Sequence, residues 1–132
     1  MNYKIQHYVF NTYKNNSVLT DPVVIGFLYN CFKEISKIKG FDLVACKILE
    51  DHVHCLVKFP ASHRIEYPIK MIKGISSRSF FKAYKTNRLV FRKLWARSYF
   101  AREIIGSEET NKVVEYINNQ IDPSGYDKRY NK

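Results

Sequence analysis

The sequence predicts an α+β fold in which an antiparallel sheet carries two helices on one face. Segments rich in aromatic and β-branched residues alternate with segments whose apolar residues recur every three or four positions. These segments follow the order β-α-β-β-α-β, and one more helix comes after them. A length of 132 residues, 45% of them hydrophobic, suits a single packed domain. We therefore treat residues 1–132 as one domain.

A strand and a helix are predicted first. Residues 3–12 are rich in aromatic and β-branched side chains and lead into a polar loop, which is typical of a strand. Asp21 is suited to cap a helix, and Pro22 is suited to its first position. Apolar residues then recur at intervals of three and four until Gly40, which supplies the C-terminal stop.

Two strands and a second helix follow. Residues 41–49 and 52–59 are predicted strands joined by a tight connection, and Pro60 ends the second of them. Pro68 opens a helix that runs to about Tyr84 and has an apolar stripe on one side. Basic residues lie on its opposite side.

A fourth strand and a third helix complete the prediction. Residues 97–105 form the strand, Gly106-Ser107 begins the helix, and Asp122-Pro123 stops it. We expect the polar tail from about residue 123 to be loosely ordered. The whole order is that of the split βαβ arrangement, also called ferredoxin-like or RRM-like, with a helix added at its end. Because both crossover helices pack on one side, the other face of the sheet is predicted to be free.

Charge and composition narrow the class of partner. The chain has 22 Lys and Arg against 12 Asp and Glu, a net charge of +10, and 15% of its residues are aromatic. Residues 70–102 contain ten basic residues and no acidic one. A basic surface with many flat rings favours a polyanion with exposed bases, such as single-stranded nucleic acid.

Other sequence features favour a cytoplasmic protein. No apolar run approaches the roughly 20 residues that span a bilayer, and the first residues do not form a signal peptide. The three cysteines, Cys31, Cys46 and Cys55, contain no CxxC pair, which fits reduced thiols in a cytosol. We therefore expect neither a membrane protein nor a secreted one.

His52 and His54 are the first candidate site residues. Side chains alternate along a strand, so both imidazoles share one face while Val53, Cys55 and Val57 share the other. Since the second set is apolar and faces the helices, the imidazoles point to the free face. Two histidines at this spacing can chelate a divalent ion, although the same spacing also occurs in non-functional pairs.

Tyr116 and Gln120 are the second candidate pair. They lie four residues apart on the last helix and therefore on the same side of it. Together with the histidines they could assemble a nucleophile and a metal site, but both also fit an ordinary amphipathic helix.

These motifs together resemble one family of enzymes. The stretch ILEDHVHCLVKF, which contains His52 and His54, looks like the HUH signature. The segments KGISSR, LWARSYF and YINNQ follow in the family's order. The chain is thus similar over most of its length to the single-tyrosine HUH transposases, namely transposase A of the insertion-sequence 200/605 group and the REP-associated tyrosine transposases.

The resemblance implies a reaction and its site. Tyr116 would attack the DNA and form a 5′-phosphotyrosine intermediate, and His52, His54 and Gln120 would hold Mg²⁺ or Mn²⁺. The substrate would be single-stranded DNA with hairpins at the ends of a mobile element. The enzyme would be a homodimer whose tyrosine helix can complete the partner's site. It would need no nucleotide triphosphate, and the chain has no GxxxxGK[ST] loop.

The basic residues are candidates for holding the backbone of the hairpin. They are Lys70, Lys73 and Arg78 on the second helix, and Arg92 and Arg97 after it. Two alternatives stay open. One is a domesticated relative that processes chromosomal repeat hairpins, and the other, from a different class, is a non-catalytic module that binds single-stranded nucleic acid.

Overall fold

A computed structural model of the chain describes residues 2–84 and 93–119. Within these ranges it has four strands, β1 (Tyr3–Asn11), β2 (Asp42–Ile48), β3 (His52–Pro60) and β4 (Phe100–Glu103), and three α-helices, α1 (Pro22–Lys39), α2 (Glu66–Ala83) and α3 (Ser107–Asn118). The strands form one antiparallel sheet in the order β2-β3-β1-β4. The predicted α+β class and element order are therefore confirmed. Arg92, Gln120, the Asp122-Pro123 stop and the tail lie outside the described residues.

The ends of α1 follow from local side-chain and backbone chemistry. The Asp21 carboxylate accepts a hydrogen bond from the Val23 amide at 2.9 Å, and Pro22 occupies the first helical position. Gly40 ends the helix at φ 79° and ψ 23°, a left-handed conformation that glycine adopts without steric cost. Both ends lie where the sequence predicts them.

Two other elements have different limits from those predicted. Helix α2 begins at Glu66, two residues before Pro68. Strand β4 spans only Phe100–Glu103, whereas the predicted strand covered 97–105. The start was wrong because the carbonyls of Ala96, Arg97 and Ser98 accept hydrogen bonds from Lys73 of α2 and not from a neighbouring strand.

The main core lies between the sheet and helices α1 and α2. Alternate residues of β1 and β3 enter it, and large apolar side chains of both helices meet them. Its fully buried members include Tyr8, Phe10, Leu28, Phe32, Val53, Cys55, Val57, Phe59, Ile69, Ile72 and Phe80. Burial of this size is the dominant stabilising contribution to the fold.

The second face of the sheet is not free. Val113 and Ile117 of α3 are buried against Ala45 of β2, Leu56 of β3 and Ile104, and they form a smaller second core. The prediction of an open face was wrong because the apolar stripe of α3 needs a partner, and this face supplies it.

The three cysteines are free thiols. Cys46 and Cys55 face each other across β2 and β3, with their Sγ atoms 3.9 Å apart. Burial raises the pKa of Cys31, while contact with Cys46, together with burial, raises that of Cys55. Among residues 2–84 and 93–119, no helix is both long and apolar enough to cross a membrane.

Candidate active site

His52 and His54 lie on the sheet face that α3 covers. They alternate along β3 with Val53 and Cys55, which belong to the main core. Both imidazoles are buried, with 1% and 0% of their surface exposed, and their ring centroids are 5.1 Å apart. The strand therefore presents the two rings side by side on one face, as its alternation predicts.

Tyr116 of α3 lies against His54. Its ring centroid is 6.0 Å from that of His54, and the two rings meet edge to face. The tyrosine hydroxyl oxygen is buried. Since Val113 and Ile117 fix α3 on the sheet, the helix brings the predicted nucleophile into one cluster with His52 and His54, two of the three predicted metal ligands.

A third histidine, which the sequence analysis missed, belongs to this cluster. His7 of β1 is fully buried, and its Nε2 lies 3.0 Å from Nδ1 of His54. The two rings stack with centroids 5.3 Å apart. Tyr8 and Phe10 of β1 enter the main core, so alternation along β1 places His7 on the α3 face. The same test applied to β1 in the sequence would have found it.

Asp51 orients the other imidazole. Its Oδ1 lies 2.9 Å from Nδ1 of His52, and its side chain is 34% exposed. An imidazole that donates Nδ1–H to a carboxylate keeps the lone pair on Nε2. This is the usual arrangement around histidines that bind metal ions.

The cluster fits part of a metal site. Within the described residues, no group of three or more His, Cys, Asp or Glu side chains could hold a metal ion. Gln120, the predicted third ligand, lies outside those residues. The two imidazoles nevertheless suit a divalent ion, because Asp51 and His7 each lie within hydrogen-bonding distance of an Nδ1 atom, so Nε2 is the atom of each ring that could bind the ion.

The predicted phosphate-binding residues fall into two groups. Lys70, Arg78 and Arg97 are exposed, as a contact with a DNA backbone requires. Lys73 is placed differently, because its Nζ donates to the carbonyl oxygens of Ala96 at 2.6 Å, of Arg97 at 3.1 Å and of Ser98 at 3.3 Å. A phosphate at Lys73 would compete with these carbonyls. Burial lowers the pKa of this lysine to about 8, so it is mostly protonated at neutral pH.

An open cleft of roughly 480 Å³ lies beside Lys73. Tyr13, Lys93, Trp95 and Arg97 are among the residues that line it. Trp95 pairs with Thr12 at the end of β1, and the Thr12 amide donates to the Asp51 carbonyl at 3.0 Å. The cleft is therefore at the same end of the sheet as His52.

Comparison with known proteins identifies a family of enzymes. A family model described as "Transposase IS200 like" matches residues 2–120. Among curated proteins, the ISDra2 transposase TnpA of Deinococcus radiodurans is 29% identical over 119 residues, which cover 88% of this chain and 83% of that protein.

Solved structures give the same result. A crystal structure described as a transposase of Deinococcus radiodurans matches with a TM-score of 0.68 and 29% identity, and the match covers 89% of this chain and 91% of the other. A REP-associated tyrosine transposase bound to a REP hairpin matches with a TM-score of 0.65 and 16% identity. That match covers 89% of this chain and 66% of the other, and at this identity it is a likeness of fold.

Proposed function

Since this chain belongs to the family of IS200-like transposases, we propose that it cuts and rejoins single-stranded DNA through a covalent bond to Tyr116. The observation that carries the proposal is the edge-to-face contact of Tyr116 with His54, at a ring-centroid distance of 6.0 Å, in a chain of this family. A tyrosine beside a candidate metal ligand is an arrangement suited to nucleophilic attack on a phosphodiester.

The bonds made and broken balance without an added energy source. The Tyr116 oxygen forms a bond to the scissile phosphorus and loses its proton to solvent. The bond from phosphorus to the 3′ oxygen breaks, and that oxygen takes up a proton. A 3′-hydroxyl later attacks the phosphotyrosine, so that a phosphodiester forms and the tyrosine regains its proton. One phosphoester bond replaces another at each step, and no nucleotide triphosphate is consumed.

His52, His54 and Gln120 are the residues that would hold Mg²⁺ or Mn²⁺. Such an ion would polarise the phosphate and stabilise the negative charge that develops on it during attack. The contribution of the chain is to fix the two imidazoles, His52 through Asp51 and His54 through His7. Because imidazole is a softer ligand than the oxygens that Mg²⁺ prefers, we expect Mn²⁺ to support higher activity in vitro.

Hairpin DNA is the substrate class we propose. The structural neighbour with the same fold is bound to a REP hairpin. In this chain, exposed Arg97 borders the cleft, exposed Lys70 and Arg78 lie on α2, and the cleft and His52 share one end of the sheet. A strand held in the cleft could thus pass around the end of the sheet toward Tyr116.

A non-catalytic binding module is the less favoured class. Such a module on this plan would present aromatic rings on an exposed sheet face for base stacking. Here the corresponding face of β1 and β3 carries three buried histidines, and α3 covers it. This composition favours chemistry over stacking.

The test is the formation of a covalent adduct. Wild-type protein is incubated with single-stranded hairpin DNA and Mn²⁺, and the products are resolved on a denaturing gel. We expect a protein–DNA adduct that Y116F and the double variant H52A/H54A do not form. Y67F is the matched control, because Tyr67 lies in a separate aromatic cluster with Phe41 and His63 and should retain full activity.

Two results would contradict parts of the proposal. An adduct that persists unchanged in Y116F would exclude Tyr116 as the nucleophile. Full activity in the H52A/H54A variant, or in wild-type protein freed of divalent ions, would exclude the metal site and leave the tyrosine assignment intact.

We also propose that the enzyme acts as a homodimer. Ile105, next to the start of α3, exposes 73% of its surface, so this apolar side chain is available for burial between two copies of the chain. Light scattering tests the oligomeric state. A mixture of Y116F with H52A/H54A then reports which chain supplies the tyrosine, because adduct formation returns only if α3 reaches the partner's histidines.

A further inference from the structure

We propose that His7 is a positioning residue for His54. It accepts a hydrogen bond from Nδ1–H of His54 and thereby holds that imidazole in the tautomer whose Nε2 carries a lone pair. The consequence for metal binding rests on the proposed function, whereas the tautomer itself is a property of the metal-free chain.

The contact between the two rings is close and shielded. His7 Nε2 and His54 Nδ1 are 3.0 Å apart, which is within hydrogen-bonding distance, and neither side chain has any exposed surface. In the register of β1 and β3, His54 pairs with Val9 and His7 pairs with Leu56, so the histidines are diagonal neighbours on one face. The strand pairing therefore fixes their separation.

Two neutral imidazoles can form this hydrogen bond in two ways, which differ in the ring that donates the proton. If His7 donates, Nδ1 of His54 is the acceptor and its Nε2 carries a proton, which prevents that atom from binding a metal ion. If His54 donates, its Nε2 keeps a lone pair and can be a ligand. Only the second arrangement is compatible with His54 as a metal ligand through Nε2.

The surroundings of His7 favour a fixed ring. Phe100 of β4 meets it edge to face at a centroid distance of 6.2 Å, and Tyr116 of α3 does so at 6.4 Å. His52 has its own partner in Asp51, at 2.9 Å. His52 is thus oriented by its sequence neighbour, whereas His54 contacts a residue 47 positions away on β1.

Two substitutions separate positioning from packing. H7F keeps a flat ring against Phe100 and His54 but removes the nitrogen acceptor. H7Q restores an acceptor at the position of Nε2, because the glutamine amide oxygen reaches about as far along the side chain. H54A serves as the reference for loss of the ligand itself.

The first readout is the affinity for Mn²⁺, measured by titration calorimetry without DNA. We expect H7F to bind about 10- to 100-fold more weakly than wild type, and H7Q to bind within a few-fold of wild type. Thermal unfolding in EDTA checks that both variants are folded. A dissociation constant for H7F equal to that of wild type, while H54A loses binding, would overturn the inference and leave the metal site standing.

The second readout needs no metal. Nitrogen-15 NMR of the histidine rings in EDTA should show Nδ1–H and a bare Nε2 for His54 in wild type, and a shift toward Nε2–H in H7F. An Nε2–H tautomer of His54 in the wild-type protein would refute the role of His7. If wild-type protein shows the expected tautomer but binds no Mn²⁺, the proposed metal fails and the positioning of His54 by His7 stands.

Discussion

Lys73 shows that a residue in a basic segment can serve the fold. Its ammonium group donates to three consecutive carbonyls of residues 96–98 and lies 5.6 Å from the centre of the Tyr99 ring. Main-chain carbonyls that do not pair with a neighbouring strand need other hydrogen-bond donors, and the Lys73 ammonium group is one. It therefore links α2 to the segment that leads into β4.

Replacement of Lys73 should weaken the fold more than replacement of an exposed lysine. K73M keeps a long, unbranched side chain but removes the ammonium donor from three carbonyls. We therefore expect the free energy of unfolding to fall by about 1–2 kcal/mol. Urea denaturation measures it. K82M, at an exposed lysine of the same helix, should change the value by less than about 0.5 kcal/mol. Equal effects of both substitutions would show that the hydrogen bonds from Lys73 to the carbonyls of residues 96–98 contribute little to stability.

The residues of the site differ in how far sequence can predict them. Alternation along β3 placed His52 and His54 on one face, because a period of two needs only local information. His7 was missed because it is a single histidine in an aromatic strand, and its partner is 47 residues away. The hydrogen bonds of Lys73 were missed for a related reason, since their acceptors are backbone carbonyls of a segment more than 20 residues away.

At the level of elements, one carboxylate ties the start of α3 to the end of β4. Glu109 accepts hydrogen bonds from the Ile105 amide at 3.0 Å and from the Arg102 side chain at 2.8 Å. Gly106, between Ile105 and the first residue of α3, has φ 88° and ψ 156°, a conformation almost restricted to glycine. This bend sets the direction in which α3 crosses the histidines.

The attachment of α3 should depend on pH. The Ile105 amide, followed by Arg102, lowers the pKa of Glu109 below its ordinary value of 4.5. Because the folded-state pKa is depressed, the stabilisation is complete above about pH 4.5 and disappears as the pH falls through the folded value. E109Q should therefore unfold at a lower temperature than wild type at pH 7, and the difference should vanish in acid.

Helix ends and helix docking differ in how far sequence predicts them. The ends of α1 were predicted correctly because the capping residues act within a few positions of the chain. The coverage of the second sheet face was not predicted, since it depends on contacts of α3 with β2 and β3 that are distant in sequence. The start of β4 was wrong for the same reason.

At the scale of the whole molecule, the positive charge is concentrated. The block of residues 70–102 contains ten basic residues without an acidic one. Exposed Lys70 and Arg78 lie on α2, and exposed Arg97 borders the cleft, which is at the end of the sheet that carries His52. We interpret them as the described part of a surface for the DNA backbone.

The salt dependence of DNA binding should test this surface. Each phosphate contact with a single strand contributes about 0.7 to the slope of log K against log salt concentration. In a Y116F background that cannot react, K70Q/R78Q/R97Q should reduce the slope by roughly 2. The triple variant K33Q/K37Q/K39Q removes the same charge from α1 and should leave the slope nearly unchanged. A larger loss in the α1 variant would place the DNA on α1 and contradict this surface.

The pairing of β3 between β1 and β2 links correct folding to the ability to cut DNA. Along β3, residues of the main core alternate with residues on the α3 face, and His52 and His54 are among the latter. A slip of one residue would turn His52 and His54 into the apolar core and bring Val53 and Cys55 to Tyr116. A mispaired chain would thus lose its core and its ligands in one event. Misfolded copies of the protein are therefore expected to be inert and not to act as unspecific nucleases in the cell.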